Sequence, residues 1–292
     1  MSHSHGHDSE RSIKMAFFLN FGFVLFEIAG GIVTNSVAIL SDALHDLGDS
    51  LALVIAWFFE RYSKREADAK YSFGYRRFSL LGALINGFII VAGSIFILTR
   101  AVPRLMNPEP TRAKWMILFA VVGIIVNGIA VLRLKRRESF NERVVFWHLF
   151  EDVLGWGIVL LVSIVLVFRQ VYILDPILSI IITVYILINV LRVVKKTVAV
   201  FLQSVPGEFD IGAVEDDILT LNGVLSVHHT HIWSLDGIYN VLSTHVVVDD
   251  ECTRDEVINI KHKVKEKLER RKIEHFTVEV EYECEMCGMR EK

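Results

Sequence analysis

The feature that most constrains this chain is the gathering of its apolar residues into six long runs. These runs cover residues 13–33, 37–60, 78–99, 115–132, 144–168 and 173–194. Each is about 20 residues long or slightly more, so an α-helix built from it would cross the ~30 Å hydrocarbon core of a bilayer. Because 52% of the residues are hydrophobic and they lie in blocks, the sequence predicts an integral membrane protein with six transmembrane helices.

Basic residues are concentrated in alternate connections between these runs. The connections 61–77 and 133–143 carry six and five Lys or Arg residues, whereas 34–36 carries none, 100–114 carries four and the last connection carries only Arg169. The positive-inside rule therefore places both termini in the cytoplasm. With a formal net charge of -3, nothing suggests a nucleic-acid partner, and the expected surroundings are the lipid bilayer. The first run holds Asn20 and Glu27 and lacks a small-residue cleavage pattern, so it is not expected to be a cleaved signal.

A second domain is expected after about residue 204, where Pro206 and Gly207 end the last apolar run. Its hydrophobic periodicity predicts a helix at 210–221, strands at 224–234 and 239–248, a helix at 254–271 and a strand at 275–283. The order αββαβ favours a ferredoxin-like α+β fold. We therefore divide the chain into a His-containing cytoplasmic tail at 1–12, a six-helix transmembrane domain at 13–203 and a cytoplasmic domain at 204–292.

Two of the membrane runs carry the same unusual pair. His45 and Asp49 lie four residues apart in the second run, and His148 and Asp152 repeat that spacing in the fifth. Residues i and i+4 share one face of an α-helix, so two such helices side by side would bring two imidazoles and two carboxylates together. A charged side chain within a bilayer costs free energy and usually has a function. Four such ligands suit a tetrahedral divalent metal, with Zn²⁺ the leading candidate.

Other acidic residues flank these pairs. Asp42 lies on nearly the same face as Asp49 and could line the approach to the metal, or could instead make an interhelical hydrogen bond. Asp46 and Glu151 point about 100° away from the ligand stripe and are not expected to be ligands. Because a histidine must lose its proton to bind metal, metal ions and protons compete for the same atoms, as an antiporter requires.

The chain resembles the cation diffusion facilitator family, in particular its zinc-transporting bacterial members. The resemblance covers nearly the whole chain and rests on the paired HxxxD motifs, "GGIVTNSVAILSDALHDLGDSLAL", "YSFGYRR", "LDPILSI" and "VHHTHIWSLDG". It implies a homodimer in the plasma (inner) membrane that exports Zn²⁺ from the cytoplasm in exchange for protons. An accessory metal site of some relatives is in doubt here, because Tyr71 and Tyr75 stand where ligands would be expected beside Asp68.

The resemblance also implies metal binding in the cytoplasmic domain. His229, His245 and Glu281 match the family's cytoplasmic cluster, with His231 a further candidate and a regulatory or structural Zn²⁺ as the occupant. Cys284 and Cys287 have the CxxC spacing of a half zinc site, which needs more ligands. All cysteines lie in this domain, where thiols are expected to be reduced.

Two other functions are compatible with buried His and acidic residues. An intramembrane metalloenzyme would need an open coordination position and a general base, as in HExxH, and that motif does not occur. A membrane-anchored metal sensor would not need His45, Asp49, His148 and Asp152. A transporter, and not an enzyme, is therefore the predicted function.

Overall fold

The computed structural model describes residues 5–134 and 140–285. Within those ranges the side chains of a few helical segments are outside the description, among them those of residues 140–149. The chain divides into two compact units. One contains residues 1–58 and 85–193, and the other contains residues 59–84 and 194–292.

Six long helices account for the predicted apolar runs. They are α1 (His5–Thr34), α2 (Val37–Ser63), α3 (Phe78–Met106), α4 (Ala113–Leu134), α5 (Phe140–Arg169) and α6 (Leu174–Phe201). Among the described residues, the helices long and apolar enough to cross a bilayer are the four from α3 to α6. The described apolar part of α1, Asn20–Thr34, is shorter, and α2 interrupts its apolar run with His45, Asp46 and Asp49.

Large apolar side chains on these helices lie on the outside of the fold. Phe88, Leu132, Leu161 and Phe168 are each more than 60% exposed. Such an apolar surface can face the hydrocarbon of a bilayer, because these side chains have no polar groups that need hydrogen-bond partners.

The packing of α2 is fixed at its N-terminus and in its middle. Asp175, at the start of α6, accepts hydrogen bonds from the Ser36 hydroxyl and, at 2.8 Å, from the backbone N–H of Val37. This carboxylate satisfies groups that a helix leaves unpaired at its N-terminus. Further along, a Cβ added to Gly93 of α3 would lie 2.3 Å from Leu44. Glycine therefore lets α3 approach α2 closely.

The C-terminal unit contains an α/β domain with a small mixed sheet. Its elements are α7 (Ile211–Leu219), β1 (Val224–Ser234), β2 (Asn240–Val248), α8 (Arg254–Arg270) and β3 (His275–Tyr282). The strand order is β1-β2-β3, with β1 antiparallel and β3 parallel to β2. This order follows from the connections, since a short hairpin joins β1 to β2 and the crossover helix α8 makes β3 parallel.

The core of this domain forms where the two helices cover one face of the sheet. Ile260, Val264 and Leu268 recur every fourth residue along α8 and are buried against Leu242 and Val246 of β2. A capping box between Thr253 and Glu256 fixes the first turn of α8. The observed helices and strands match the predicted ones to within a few residues at each end, because the periodicity of the sequence changes clearly between helix and strand.

The loop between α2 and α3 belongs to the same unit as the α/β domain. The guanidinium of Arg76 lies 3.5 Å from the Asp236 carboxylate and 4.2 Å from the centre of the Tyr239 ring. The ring of Phe73 packs edge-on against His275, with 5.2 Å between centres. The loop therefore contacts both the β1–β2 hairpin and the start of β3.

A salt-bridge cluster joins α7 to α8 and predicts the effect of one substitution. The Asp217 carboxylate lies 2.5 Å from Lys267 Nζ and 3.0 Å from Arg271 Nε. Because the group is partly exposed, Asp217→Asn should cost roughly 1 kcal/mol or less. We expect faster hydrogen–deuterium exchange in residues 211–219, whereas the neighbouring exposed Asp216→Asn should leave the exchange unchanged. Equal exchange in the two variants would contradict a role for this cluster.

The same cluster predicts a pH dependence. The hydrogen bond from Lys267, with that from Arg271, lowers the pKa of Asp217 below its ordinary value. A lowered folded-state pKa stabilises the domain above the ordinary pKa of Asp, and this contribution is lost as pH falls through the folded-state pKa. The difference in thermal stability between parent and Asp217→Asn should therefore shrink in acid and be fully present at neutral pH.

Candidate metal centres

Two adjacent polar stripes run along α2. Ser41, His45 and Asp49 form one stripe at four-residue intervals, and Asp42, Asp46 and Ser50 form the next. Since successive residues of a helix are separated by about 100°, the two stripes present neighbouring faces. Polar groups of α2 can therefore contact two different neighbouring helices.

His45, Asp46 and Asp152 meet between α2 and α5. One ligand atom from each lies within 4.8 Å of the other two, which is close enough for a single metal ion to join them. Asp49 also belongs to this region, with its Oδ2 atom 3.9 Å from His45 Nε2. Asp46 is buried, and His45 and Asp152 are partly exposed. The arrangement offers imidazole and carboxylate ligands at a place that both solvent and a bound ion can reach.

The predicted ligands are found here in part. His45 and Asp152 come together, and Asp49 lies beside His45. His148 lies on α5 one turn before Asp152, but its side chain is outside the described residues. Asp46 is not among the predicted ligands, because its angle on the helix turns it away from the ligand stripe. In the structure Asp152 is close to both His45 and Asp46, so α5 faces the boundary between the two stripes of α2.

Two further carboxylates lie next to this cluster. Asp42 is close to α5, with its Oδ1 atom 3.9 Å from where a Cβ of Gly155 would lie. Glu27 on α1 is fully buried and has Asp46, Asp42 and Asp152 as its charged neighbours. Sequence reasoning gave Glu27 no role in binding. A usable signal existed, because an acidic residue within an apolar run needs a partner in the membrane.

Hydroxyl groups continue the first stripe of α2 towards α6. The Ser41 hydroxyl lies 2.6 Å from the Ser179 hydroxyl and 3.0 Å from that of Thr183. Ser41 is one helical turn from His45. These buried hydroxyls satisfy one another, so polar groups extend from His45 into the α2–α6 contact without unpaired atoms.

A second cluster lies on the open face of the C-terminal sheet. Ligand atoms of His228, His245 and Glu281 are within 4.8 Å of one another. His245 Nδ1 is 2.5 Å from Glu281 Oε1, and His228 Nε2 is 3.7 Å from Glu281 Oε2. His228 is directly opposite His245 in the β1–β2 pairing, so both side chains project from the same face.

An irregularity in β1 explains why His228 joins this cluster. The pairing with β2 shifts between His228 and His231, and His229 adopts a left-handed backbone with φ 51°. Such a bulge places an extra residue in one strand, which upsets simple alternation of side chains. His229 consequently lies beside His231, with 3.3 Å between their Nε2 atoms, while its ring centre is 5.4 Å from that of His245. Of the predicted trio, His245 and Glu281 lie together, and His228 takes the third position in the cluster in place of His229.

The remaining candidate positions are less suited to metal. Cys284 is exposed, and a hydrogen bond with Asp250 raises the pKa of its thiol, which disfavours the thiolate that binds zinc. Cys287 lies outside the described residues. In the α2–α3 loop, Asp68 accepts a 2.7 Å hydrogen bond from the Tyr75 hydroxyl. This bond raises the pKa of Tyr75 to about 12. Asp68 therefore stabilises the loop by its hydrogen bond with Tyr75.

Two known protein-family domains together match most of the chain. The cation efflux transmembrane domain matches residues 13–202, and the cation efflux protein cytoplasmic domain matches residues 206–283. A cadmium, cobalt and zinc/H⁺-K⁺ antiporter of Bacillus subtilis (strain 168) is 31% identical over 97% of this chain and 93% of its own length.

Two other relatives show the same extent of similarity. The metal cation efflux system protein CzcD of Cupriavidus metallidurans is 34% identical over 96% of this chain and 89% of its own. The zinc transporter ZitB of Escherichia coli (strain K12) is 29% identical over 97% and 93%, respectively. The protein is therefore a transporter and not an enzyme, and it belongs to the cation efflux, or cation diffusion facilitator, family.

Proposed function

We propose that this protein exports Zn²⁺ from the cytoplasm in exchange for protons. The observation that carries the proposal is the convergence of His45, Asp46 and Asp152 between two helices of the membrane unit. Imidazole favours Zn²⁺ and related ions over Mg²⁺ or Ca²⁺, and carboxylates offset the charge of the ion. Relatives named as zinc transporters and as a zinc/H⁺-K⁺ antiporter support the choice of zinc and of protons.

Binding and release follow from the chemistry of these side chains. Asp49 and, from α5, His148 are the further ligands that the sequence predicts for a four-coordinate ion with His45 and Asp152. A site filled by protein ligands has no open position for activating water, which favours binding and release over catalysis. Protonation of the imidazoles competes directly with metal, so protons entering from the outer side displace the ion.

The membrane arrangement is part of the same proposal. We infer six spans, α1 to α6, in the plasma (inner) membrane, with the N-terminus and the α/β domain in the cytoplasm, and a homodimer as the working unit. The basic connections 61–77 and 133–143 support this orientation. The match of residues 206–283 to a cytoplasmic domain supports the position of the C-terminus.

The α/β domain is proposed to bind regulatory or structural Zn²⁺ through His228, His245 and Glu281. Their ligand atoms are close enough for one ion, and Glu281 is buried although it is charged. A buried carboxylate is costly unless a cation or hydrogen bonds compensate it. The His229 and His231 pair lies next to this cluster and is available as a supplementary ligand set.

Removal of one membrane ligand should abolish transport. Asp152→Asn keeps the size of the side chain and removes its negative charge, so zinc uptake into inverted vesicles should fall by at least about tenfold, equivalent to 1.4 kcal/mol or more of lost binding. The adjacent Glu151→Gln changes an exposed carboxylate on the same helix and should transport at the parental rate. Parental uptake by Asp152→Asn would contradict the proposed site and favour a sensor.

Proton exchange predicts how a pH gradient acts on flux. In inverted vesicles the lumen corresponds to the outer side, so a lumen more acidic than the bath should accelerate zinc uptake. An ionophore that collapses the gradient should return uptake to the rate without one, and Asp152→Asn vesicles should not respond. Zinc uptake by the parent that is independent of the gradient would exclude proton coupling.

Zinc content tests the cytoplasmic cluster. His228→Ala should lower the amount of zinc bound per purified chain. The affinity for zinc at the membrane site should change little. His262→Ala removes an exposed histidine on α8 and is the matched control. A loss of zinc in His229→Ala but not in His228→Ala would instead identify the trio predicted from the sequence.

A further inference from the structure

A buried carboxylate on α1 has no described hydrogen-bond donor. Glu27 is 0% exposed, and neither of its side-chain oxygens receives a hydrogen bond from the described residues. Its charged neighbours are the carboxylates Asp46, Asp42 and Asp152, with Asp46 in side-chain contact. A buried carboxylate facing other carboxylates is strongly unfavourable while all of them are charged, so a proton or a cation must lie among them.

Polar groups of α1 face the second stripe of α2 at two places. Asn20 of α1 donates a 2.9 Å hydrogen bond to the Ser50 hydroxyl of α2. Two turns further along α1, Glu27 faces Asp46, which lies one turn from Ser50. Two helices thus hold the two carboxylates towards each other, in the way that rigid elements present metal ligands.

Asp46 connects this pair to the cluster already described. One of its carboxylate oxygens lies within 4.8 Å of ligand atoms of His45 and Asp152, and its side chain also contacts Glu27. A carboxylate has two oxygens and can bridge two metal ions, which in two-metal sites are about 3.5–4 Å apart. The geometry therefore provides a nitrogen-containing position on one side of Asp46 and an oxygen-only position on the other.

Charge balance also favours a second ion. One divalent ion offsets two carboxylates, as Asp49 and Asp152 would do at the predicted four-ligand site. Glu27, Asp42 and Asp46 then remain as further acidic groups in the same buried region. A second divalent cation among them brings the total charge close to neutral, which a poorly solvated site requires.

We propose that Glu27 and Asp46 form a second, oxygen-only subsite for a divalent cation, adjacent to the subsite of His45 and Asp152. This deepens the proposed function and rests on it only for the identity of the cation. An ion at Glu27 and Asp46 repels an ion at His45, so occupation of one subsite promotes departure from the other. Adjacent sites of this kind allow tight binding and rapid release together.

Cobalt binding to the full-length purified protein tests the proposal without measuring transport. Co²⁺ absorbs visible light strongly in a tetrahedral site with nitrogen ligands and weakly in an octahedral oxygen site, so the two subsites are distinguishable. Glu27→Gln should bind about one Co²⁺ fewer per chain than the parent and retain the strong absorption. His45→Ala should lose only the part of the strong absorption that comes from the membrane subsite and should retain the ion held by Glu27. The absorption of Co²⁺ bound at His228, His245 and Glu281 should remain in both variants. Glu151→Gln, an exposed carboxylate on α5, should match the parent in both measurements.

Two results would overturn the proposal. Unchanged Co²⁺ stoichiometry in Glu27→Gln would mean that Glu27 carries no metal. Loss in Glu27→Gln of the same part of the strong absorption that His45→Ala removes would mean that the membrane region holds a single site. Glu27→Asp keeps the charge and should restore the bound ion. Asp46→Asn repeats the test if Glu27→Gln does not elute as a folded protein. Failure of zinc flux in the parent would reject the proposed function, and the count of bound Co²⁺ would still decide the subsite.

Discussion

The structure depends on the cost of placing carboxylates among helices built for a membrane. On the insertion scale each Asp at the centre of a bilayer costs about 2.5–3.5 kcal/mol. Glu27, Asp42, Asp46 and Asp152 lie close together, so together they oppose insertion by an amount comparable with the entire stability of a typical domain. Carboxyl groups gathered this closely must be neutralised by protons or by bound cations, and the contacts among α1, α2 and α5 form under that constraint.

The helices hold the ligands in place through contacts that contain no metal. Asp175 supplies hydrogen bonds to the start of α2, and Gly93 admits Leu44 against α3. The hydroxyls of Ser41, Ser179 and Thr183 tie α2 to α6. These contacts fix α2 at its N-terminus, against α3 and against α6, and the last of them uses Ser41, which lies on the same stripe as His45. Sites on rigid elements keep their geometry better than sites on loops.

Much of the fold and part of the site could be predicted from the sequence. Apolar run length and change of periodicity located the helices and strands, and the repeated HxxxD spacing identified His45 and Asp152. Asp46 was set aside because helix geometry gives the angle between side chains of one helix but not the direction from which a second helix approaches. His228 is absent from the predicted ligands because period-two alternation assumes a regular strand, and the left-handed residue His229 breaks that regularity. A role for Glu27 could not be predicted, because the sequence does not show which face of α1 contacts α2.

The loop between α2 and α3 has a consequence for how the α/β domain is attached. It is bonded to the ends of two helices, and Arg76 and Phe73 fasten it to the hairpin and to β3. The domain is therefore connected to the preceding helices by two chain segments, one through α6 and one through this loop. A rotation of the domain would apply torque to the end of α2, the helix that carries His45 and Asp46, as well as to the end of α6.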